Sequence, residues 1–147
     1  VTPYGSDVMQ TIEALETLLK PLLPGLIGIQ LREAGKDRVL ATMMVRPDLC
    51  TTGGVLHGGA MMAFADTLGA IGTFQNLSDG ARTTTIDSNT KFIGAAALGT
   101  TVTGECVAFH RGRTTMVWQT LIKSEKGKLC AVVTQTQLVL PSNADAG

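Results

Sequence analysis

A glycine-rich run and one carboxylate are the residues of this sequence whose types and spacing could do chemistry. The run is Gly54–Gly59, G-V-L-H-G-G, and Asp66 follows it inside an apolar stretch. Adjacent glycines where a helix begins leave backbone N–H groups bare at the positive end of the helix dipole, and a substrate carbonyl can approach closely where no Cβ stands. We therefore expect Gly58 and its neighbour Gly59 to polarise a carbonyl or bind an oxyanion, as acyl transfer requires.

Asp66 is the one carboxylate in the predicted helix over residues 57–76. Burying a carboxylate is costly unless it is paired or used, so its presence suggests a function. The helical rise separates Gly58 from Asp66 by roughly 12 Å, too far for both to act on one carbonyl in one subunit. Two copies of the helix running antiparallel across a two-fold axis would bring them together, so we expect a shared site in a homodimer or in a homotetramer built as a dimer of dimers.

Composition and charge limit the classes of function. The 147 residues predict a single domain, residues 1–147, because roughly 150 residues per domain is usual. Charged residues make up 16% of the chain against a usual share of about 25%, so we expect self-association to bury part of the surface. The 12 basic and 12 acidic side chains cancel, which argues against a nucleic-acid or acidic-membrane partner held by charge.

Other sequence features limit the expected cellular location, cofactors and partners. Cys50, Cys106 and Cys130 are an odd number without a C-x-x-C pattern, so we expect no disulfide framework, no metal site and a cytoplasmic location. The chain has no glycine pattern of the kind that binds nucleotide phosphates, so we expect no cofactor. The apolar stretch 55–77 is about as long as a membrane helix, but Asp66 at its centre would cost about 2.5 to 3.5 kcal/mol in mid-bilayer, so we expect no membrane partner.

Hydrophobic periodicity predicts two helices. Ser6 and Asp7 are typical of an N-cap, and apolar residues at helical spacing follow until Pro21. The second helix, over residues 57–76, is apolar on every face, which indicates a buried helix. We expect Pro21–Gly25 to form a linker and the N-terminal helix to cover one end of the fold or an acyl pocket.

Much of the remaining chain alternates between apolar and polar residues, as half-buried strands do. An early hairpin turns at Gly35–Asp37, and four later strands are predicted at Thr83–Ile93, Thr101–Phe109, Thr114–Lys123 and Leu129–Leu140. Short turns join the strands, so we expect them to be antiparallel. The sequence therefore predicts an α+β fold in which a curved antiparallel sheet of about six strands wraps around a central helix, with an extra N-terminal helix.

The segment Gly54–Asp66, G-V-L-H-G-G-A-M-M-A-F-A-D, resembles the signature of hotdog-fold acyl-CoA thioesterases of the phenylacetyl-CoA thioesterase type. The predicted strand order and central helix agree with that family over roughly residues 25–140. The resemblance implies a hotdog fold and hydrolysis of an acyl- or aryl-CoA thioester to the free acid and CoA.

The resemblance also implies a role for each residue of the motif. Asp66 would be the nucleophile or the general base for water, the Gly58 N–H would polarise the thioester carbonyl, and His57 would orient the loop and the substrate. Thr85, on the strand after the helix, would help to position the water. Many family members carry Asn or Gln six residues before the histidine, where this chain has Thr51. Either Thr51 or a neighbour contacts the substrate in its place, or the activity is weaker.

Coenzyme A carries phosphates, so cationic side chains near the mouth of the site are expected. Arg111 and Arg113, in a turn between two predicted strands, are the candidates, and Thr51 and Gly59 are candidate substrate contacts. Two other functions stay open. A non-catalytic acyl-CoA-binding or regulatory hotdog module would bind the ester without turnover. A hotdog hydratase or dehydratase would pair a catalytic histidine with an acid from the facing subunit.

Overall fold

The structure, a computed structural model, describes residues 9–143. Its helices are α1 Ile12–Leu19, α2 Leu23–Leu26 and α3 Gly58–Phe74, and a short 3-10 helix spans Pro47–Leu49. Its strands are β1 Gln30–Ala34, β2 Arg38–Met44, β3 Cys50–Thr51, β4 Val55–Leu56, β5 Arg82–Phe92, β6 Thr101–Arg111, β7 Thr115–Lys123 and β8 Leu129–Leu140.

Six strands form one antiparallel sheet in the order β1-β2-β6-β7-β8-β5, while β3 and β4 pair separately. Every second residue of β7 is buried, because successive side chains of a strand point to opposite faces. The buried face of the sheet packs on α3, which contacts β2, β5, β6, β7 and β8. The predicted curved sheet around a central helix is confirmed.

Two glycines allow α3 and the sheet to approach closely. A Cβ at Gly104 of β6 would lie 2.8 Å from Leu68 Cδ1 of α3. A Cβ at Gly72 of α3 would lie 2.5 Å from the Trp118 ring of β7. The Nε1 of that ring donates a hydrogen bond to Thr73 Oγ1 at 2.8 Å, which ties the helix to the sheet. Larger residues at either glycine would push the helix and the sheet apart.

The N-terminal helix is capped by a residue that the sequence analysis did not select. α1 begins at Ile12, and Thr11 caps it by accepting a hydrogen bond from the Ala14 N–H at 3.1 Å. The predicted cap at Ser6 and Asp7 lies outside the described residues.

The predicted linker Pro21–Gly25 is wrong in part, because the short helix α2 begins within it at Leu23. Pro24 lies in the first turn of α2, where the missing N–H of proline costs nothing. α1 packs on β1, and α2 contacts both α1 and α3. These two helices therefore stand beside the central helix instead of leading away from it.

β5 forms one edge of the sheet and contains a bulge. Among the described strands it pairs with β8 alone, so its outer edge carries unpaired backbone groups. The register shifts between Thr85, which pairs with Gln137, and Asp87, which pairs with Thr136, and Ile86 is the extra residue. Bulges re-aim side chains, and an unpaired edge of this length is a template for another strand.

Within residues 9–143, no helix is long and apolar enough to cross a membrane. The longest helix is α3, with 17 residues, and it holds Asp66 near its middle.

Candidate active site

His57 caps the N-terminus of α3. Its Nδ1 accepts a hydrogen bond from the Gly59 N–H at 2.8 Å, and its carbonyl accepts from Ala60 and Met61. Because Nδ1 is the acceptor, a neutral His57 carries its proton on Nε2, and the exposed ring can donate it to a ligand. The expectation that both glycine N–H groups are bare is wrong for Gly59, because the cap uses its donor.

Gly58 keeps the free N–H at this helix start. Within residues 9–143 its N–H has no hydrogen-bond partner, as is usual for the first residue of a helix. A Cβ at Gly58 would lie 3.0 Å from Phe92 Cε1, so the ring and the helix start approach closely because the residue is glycine. Gly58 lines a cleft of about 380 Å³ together with Val55, Leu56, Met61, Phe92, Ile93, Gly94 and Ala95. The geometry suits a carbonyl-binding donor.

Asp66 lies on α3 about two turns after Gly58 and is half-buried. Its Oδ1 accepts a hydrogen bond from Thr85 Oγ1 at 2.6 Å. Gln135 Nε2 lies 3.3 Å from the same oxygen and 3.2 Å from the backbone carbonyl oxygen of Asp66. No lysine or arginine among residues 9–143 forms an ion pair with this carboxylate. Hydrogen bonds from neutral groups therefore compensate its loss of water.

Gln135 and Gln137 of β8 are site residues that the sequence analysis missed. Both are fully buried on the face of the sheet that packs on α3. Gln137 Nε2 donates to Thr85 Oγ1 at 2.6 Å, and Gln137 Oε1 accepts from Thr83 Oγ1 at 3.0 Å. A signal was present in the sequence, because both glutamines occupy inward positions of an alternating strand. Amides are seldom fully buried there without a set of partners.

An apolar groove of about 370 Å³ leads to Asp66 between α3 and the segment that runs from α1 to α2. Besides Asp66, Thr67 and Thr83, its lining is apolar and consists of Leu15, Leu18, Leu19, Leu22, Leu23, Pro24, Ala70, Ile71 and Phe74. A neighbouring cleft of about 380 Å³ contains His57 and Gly59 and shares Leu23 with the groove. The N-terminal helix therefore covers an apolar space whose polar end holds the carboxylate.

The predicted residues fall into two groups within one chain. Thr51 lies in β3, which pairs with β4 directly before α3, so it belongs with His57 and Gly58. Its side chain is exposed and makes no hydrogen bond within the part of the chain that the structure describes. Asp66 and Thr85 form the second group, and the helical rise keeps Asp66 roughly 12 Å from Gly58.

The two predicted arginines lie at the other end of α3. Arg111 Nη1 is 3.4 Å from the Lys36 carbonyl oxygen and 3.4 Å from Oδ1 of Asn76, which follows the helix. Arg113 is exposed in the turn between β6 and β7. Because α3 is about 25 Å long, the structure does not bring these arginines to Gly58 of the same chain.

Metal and thiol chemistry find no support in residues 9–143. No cluster of His, Cys, Asp and Glu in this range could hold a metal ion, and the three cysteines are free thiols. Burial raises the pKa of the Cys106 thiol to about 12 and also raises the pKa of Cys130. Buried thiols of this kind are poor nucleophiles at neutral pH.

Known proteins resemble most of this chain. The sequence profile of the thioesterase superfamily matches residues 53–131. The 1,4-dihydroxy-2-naphthoyl-CoA hydrolase of Escherichia coli K12 is 30% identical over 130 residues, which cover 88% of this chain and 95% of that protein. The chain belongs to the thioesterase superfamily.

Two further similarities support the assignment of this protein to the thioesterase superfamily. The proofreading thioesterase EntH of Cronobacter turicensis is 32% identical over 120 residues, covering 82% of this chain and 87% of that protein. The crystal structure of a thioesterase from Haemophilus influenzae matches with a TM-score of 0.85 and 31% identity, over 93% of this chain and 95% of that one. The expected hotdog-fold thioesterase is confirmed, and the protein is a thioester hydrolase by family.

Proposed function

We propose that the protein hydrolyses acyl- or aryl-CoA thioesters to the free acid and CoA. The observation that carries the proposal is the half-buried Asp66 carboxylate, held by the Thr85 hydroxyl at 2.6 Å where an apolar groove ends. An apolar groove ending at a carboxylate suits an acyl or aryl group whose thioester carbon must meet a nucleophile. The similar E. coli protein is named for the hydrolysis of a CoA ester.

A site shared between two subunits supplies both groups that the reaction needs. Gly58 and Asp66 lie too far apart on one helix, whereas β5 has a free edge on which Ile86 is exposed. Antiparallel pairing of two β5 edges around a two-fold axis would continue the sheet and set two α3 helices side by side. In that dimer the Gly58 N–H of one subunit faces Asp66 of the other.

The reaction follows from these two groups. The Gly58 N–H hydrogen-bonds the thioester carbonyl oxygen and stabilises the negative charge that develops there. Asp66 either attacks the carbonyl carbon, giving an anhydride that water opens, or takes a proton from the water that attacks. Both routes form a C–O bond, break the C–S bond and release CoA, whose thiolate takes up a proton. His57 orients the loop and offers its Nε2 proton to the substrate.

The position of the arginines fits the same dimer. With Gly58 of one α3 opposite Asp66 of the other, the second helix runs about eight residues, roughly 12 Å, past Gly58 to its C-terminal end. Arg111 and Arg113 of one subunit would then lie beyond the Gly58 end of the second subunit, where the phosphates of an extended CoA molecule need cations. Thr51 and Gly59 lie near the same end and would contact the substrate.

Thiol release from a panel of acetyl-, octanoyl-, benzoyl- and phenylacetyl-CoA tests the proposal. We expect the wild type to hydrolyse at least one ester and Asp66→Asn to lower kcat by about a hundredfold or more. Asp79→Asn is the matched control, because Asp79 is exposed in the turn before β5 and its variant should keep the wild-type kcat. An Asp66→Asn enzyme that keeps full activity would contradict the assigned role.

A binding module is the second candidate, and the exposed Thr51 favours it because the hydroxyl cannot present an amide to the substrate. Such a module would bind octanoyl-CoA or benzoyl-CoA without releasing thiol. Equal Kd values for the wild type and Asp66→Asn, with no hydrolysis by either, would replace the thioesterase proposal with this one.

A further inference from the structure

Two buried glutamines lie directly behind the Asp66 carboxylate. Gln135 and Gln137 are both 0% exposed and stand two residues apart on β8, so they share the face of the sheet that packs on α3. Burying an amide is unfavourable unless its donors and acceptors are used. The donors of both amides point toward Asp66 or toward its partner Thr85.

The hydrogen-bond directions follow from Asp66 outward. A carboxylate oxygen accepts hydrogen bonds, so Thr85 must give its single hydroxyl proton to Asp66 Oδ1, 2.6 Å away. Thr85 Oγ1 must then accept from Gln137, whose Nε2 lies at 2.6 Å. The amide oxygen of Gln137 then faces Thr83 Oγ1 at 3.0 Å, and the Thr83 hydroxyl can donate to it or to the Leu138 carbonyl oxygen at the same distance. Gln137 thereby prevents Thr85 from turning its proton elsewhere.

Gln135 acts on the carboxylate directly. Its Nε2 lies 3.3 Å from Asp66 Oδ1 and 3.2 Å from the Asp66 carbonyl oxygen. The amide fits against α3 because residue 69 is glycine, where a Cβ would lie 2.3 Å from Gln135 Cδ. Oδ1 therefore has two donors, whereas Oδ2 accepts no hydrogen bond from residues 9–143.

We propose that Gln135 and Gln137 are positioning residues that hold Asp66 Oδ1 and leave Oδ2 as the oxygen that reacts. The proposal rests on the proposed thioesterase function and adds to it which carboxylate oxygen attacks or accepts the proton. Neither glutamine touches the substrate. Each acts by fixing the carboxylate plane, since a misplacement of about 1 Å can cost about a hundredfold in rate.

The test compares Gln135→Met, Gln137→Met and Thr85→Val with the double variant Gln137→Met/Thr85→Val. Methionine keeps the length of glutamine and removes the donor. With the faster of octanoyl-CoA and benzoyl-CoA as substrate, we expect each single variant to lower kcat by about ten- to a hundredfold at unchanged KM. The double variant should be no slower than Thr85→Val, because Gln137 acts through Thr85.

Gln119→Met is the matched control. Gln119 lies on β7 between the fully buried Trp118 and Thr120, so its side chain is on the opposite face of the sheet. We expect the wild-type kcat for this variant.

Each remaining outcome decides between the proposals. Wild-type kcat in both Gln→Met variants, or additive losses in the double variant, would overturn the positioning role while leaving Asp66 catalytic. A wild type without hydrolysis, or a fully active Asp66→Asn, would overturn the proposed function and this inference with it. If thermal melts show that Gln137→Met is unfolded, Gln135→Met decides the positioning role, and Thr85→Ser, which keeps the hydroxyl, should restore the kcat that Thr85→Val loses.

Discussion

The hydroxyl of Thr85 lies 2.6 Å from Oδ1 of Asp66 and joins the edge strand of the sheet to the middle of the central helix. Thr85 stands directly before the bulge in β5, where its side chain faces α3 and not solvent. A carboxylate that has lost part of its water needs donors built into the fold, and Thr85 is the shortest such contact.

Replacing Thr85 tests the stability of the hydrogen-bond chain. Thr85→Val removes the hydroxyl at nearly constant shape and leaves both Asp66 Oδ1 and Gln137 Nε2 short of a partner. We expect the free energy of unfolding to fall by about 1 to 3 kcal/mol, measured by urea denaturation. Thr85→Ser should stay within about 1 kcal/mol of the wild type, because it keeps the hydroxyl. Equal free energies of unfolding for Thr85→Val and Thr85→Ser would contradict the hydrogen bonds that run from Gln137 through Thr85 to Asp66.

Replacing Gly58 by proline removes the proposed carbonyl-binding donor. Position 58 is the first residue of α3 and follows an extended His57 with φ −64° and ψ 138°, so proline fits the backbone there. The Phe92 ring must shift slightly, and it is exposed enough to do so. We expect Gly58→Pro to keep its helical circular dichroism and to lose about a hundredfold or more in kcat. A wild-type kcat would remove the Gly58 N–H from the mechanism.

Mixing two inactive variants tests whether the site is shared. Gly58→Pro and Asp66→Asn subunits that exchange form heterodimers, and in each heterodimer one site combines an intact Gly58 with an intact Asp66. We expect a one-to-one mixture to recover roughly a quarter of the wild-type activity if subunits mix at random. A mixture that stays inactive after proven subunit exchange would show that Gly58 of one subunit and Asp66 of the other do not form one site.

Narrowing the apolar groove should change the choice of acyl group. Ala70 lines the groove one turn after Asp66, so Ala70→Leu shortens the space beside the carboxylate. We expect kcat/KM for octanoyl-CoA to fall about tenfold or more relative to acetyl-CoA. Ala14→Leu on the exposed side of α1 is the control and should leave the ratio unchanged. Equal losses for both esters would place the acyl group outside the groove.

The Gln135 side chain occupies the space that a side chain at Gly69 would need, and stability measurements can test this. A Cβ at position 69 would lie 2.3 Å from Gln135 Cδ, so Gly69→Ala must displace the buried amide. We expect a loss of about 1 to 3 kcal/mol in the free energy of unfolding. Gly69→Ala/Gln135→Ala should be clearly more stable than the sum of the single effects, because truncation makes room for the methyl group. Strict additivity in urea denaturation would show that the two side chains do not compete.

Cys106 predicts a specific dependence of stability on alkaline pH. Burial raises its pKa from 9.0 to about 12, so the folded state holds the thiol proton after the unfolded state has lost it. The contribution to stability is complete below pH 9.0 and is lost as the pH rises towards about 12. Urea denaturation at about pH 8 and about pH 10.5 should show a smaller pH dependence for Cys106→Ala than for the wild type. If the free energy of unfolding changes equally between these two pH values in both proteins, the Cys106 thiol is not the source of the pH dependence.

Much of the architecture could be predicted from the sequence, because periodicity is a local property. The apolar helix over residues 57–76 appears as α3 Gly58–Phe74, and the four late strands lie within two residues of their predicted bounds. The start of α1 at Ile12 depends on capping by Thr11, which sequence periodicity does not select because several polar residues nearby could serve as caps. The first helix ends before Pro21 as predicted, whereas Pro24, which lies in the predicted linker, is in the first turn of α2.

The sequence by itself determined the curved sheet around a buried helix, the G-V-L-H-G-G run at the helix start and the isolated carboxylate within it. These features depend on spacing along the chain. Tertiary structure decided that the His57 ring occupies the Gly59 N–H and leaves that of Gly58 free. It also decided that Gln135, 69 residues from Asp66, donates to the carboxylate. Such contacts depend on strand register, on the bulge at Ile86 and on helix packing, which no local pattern encodes.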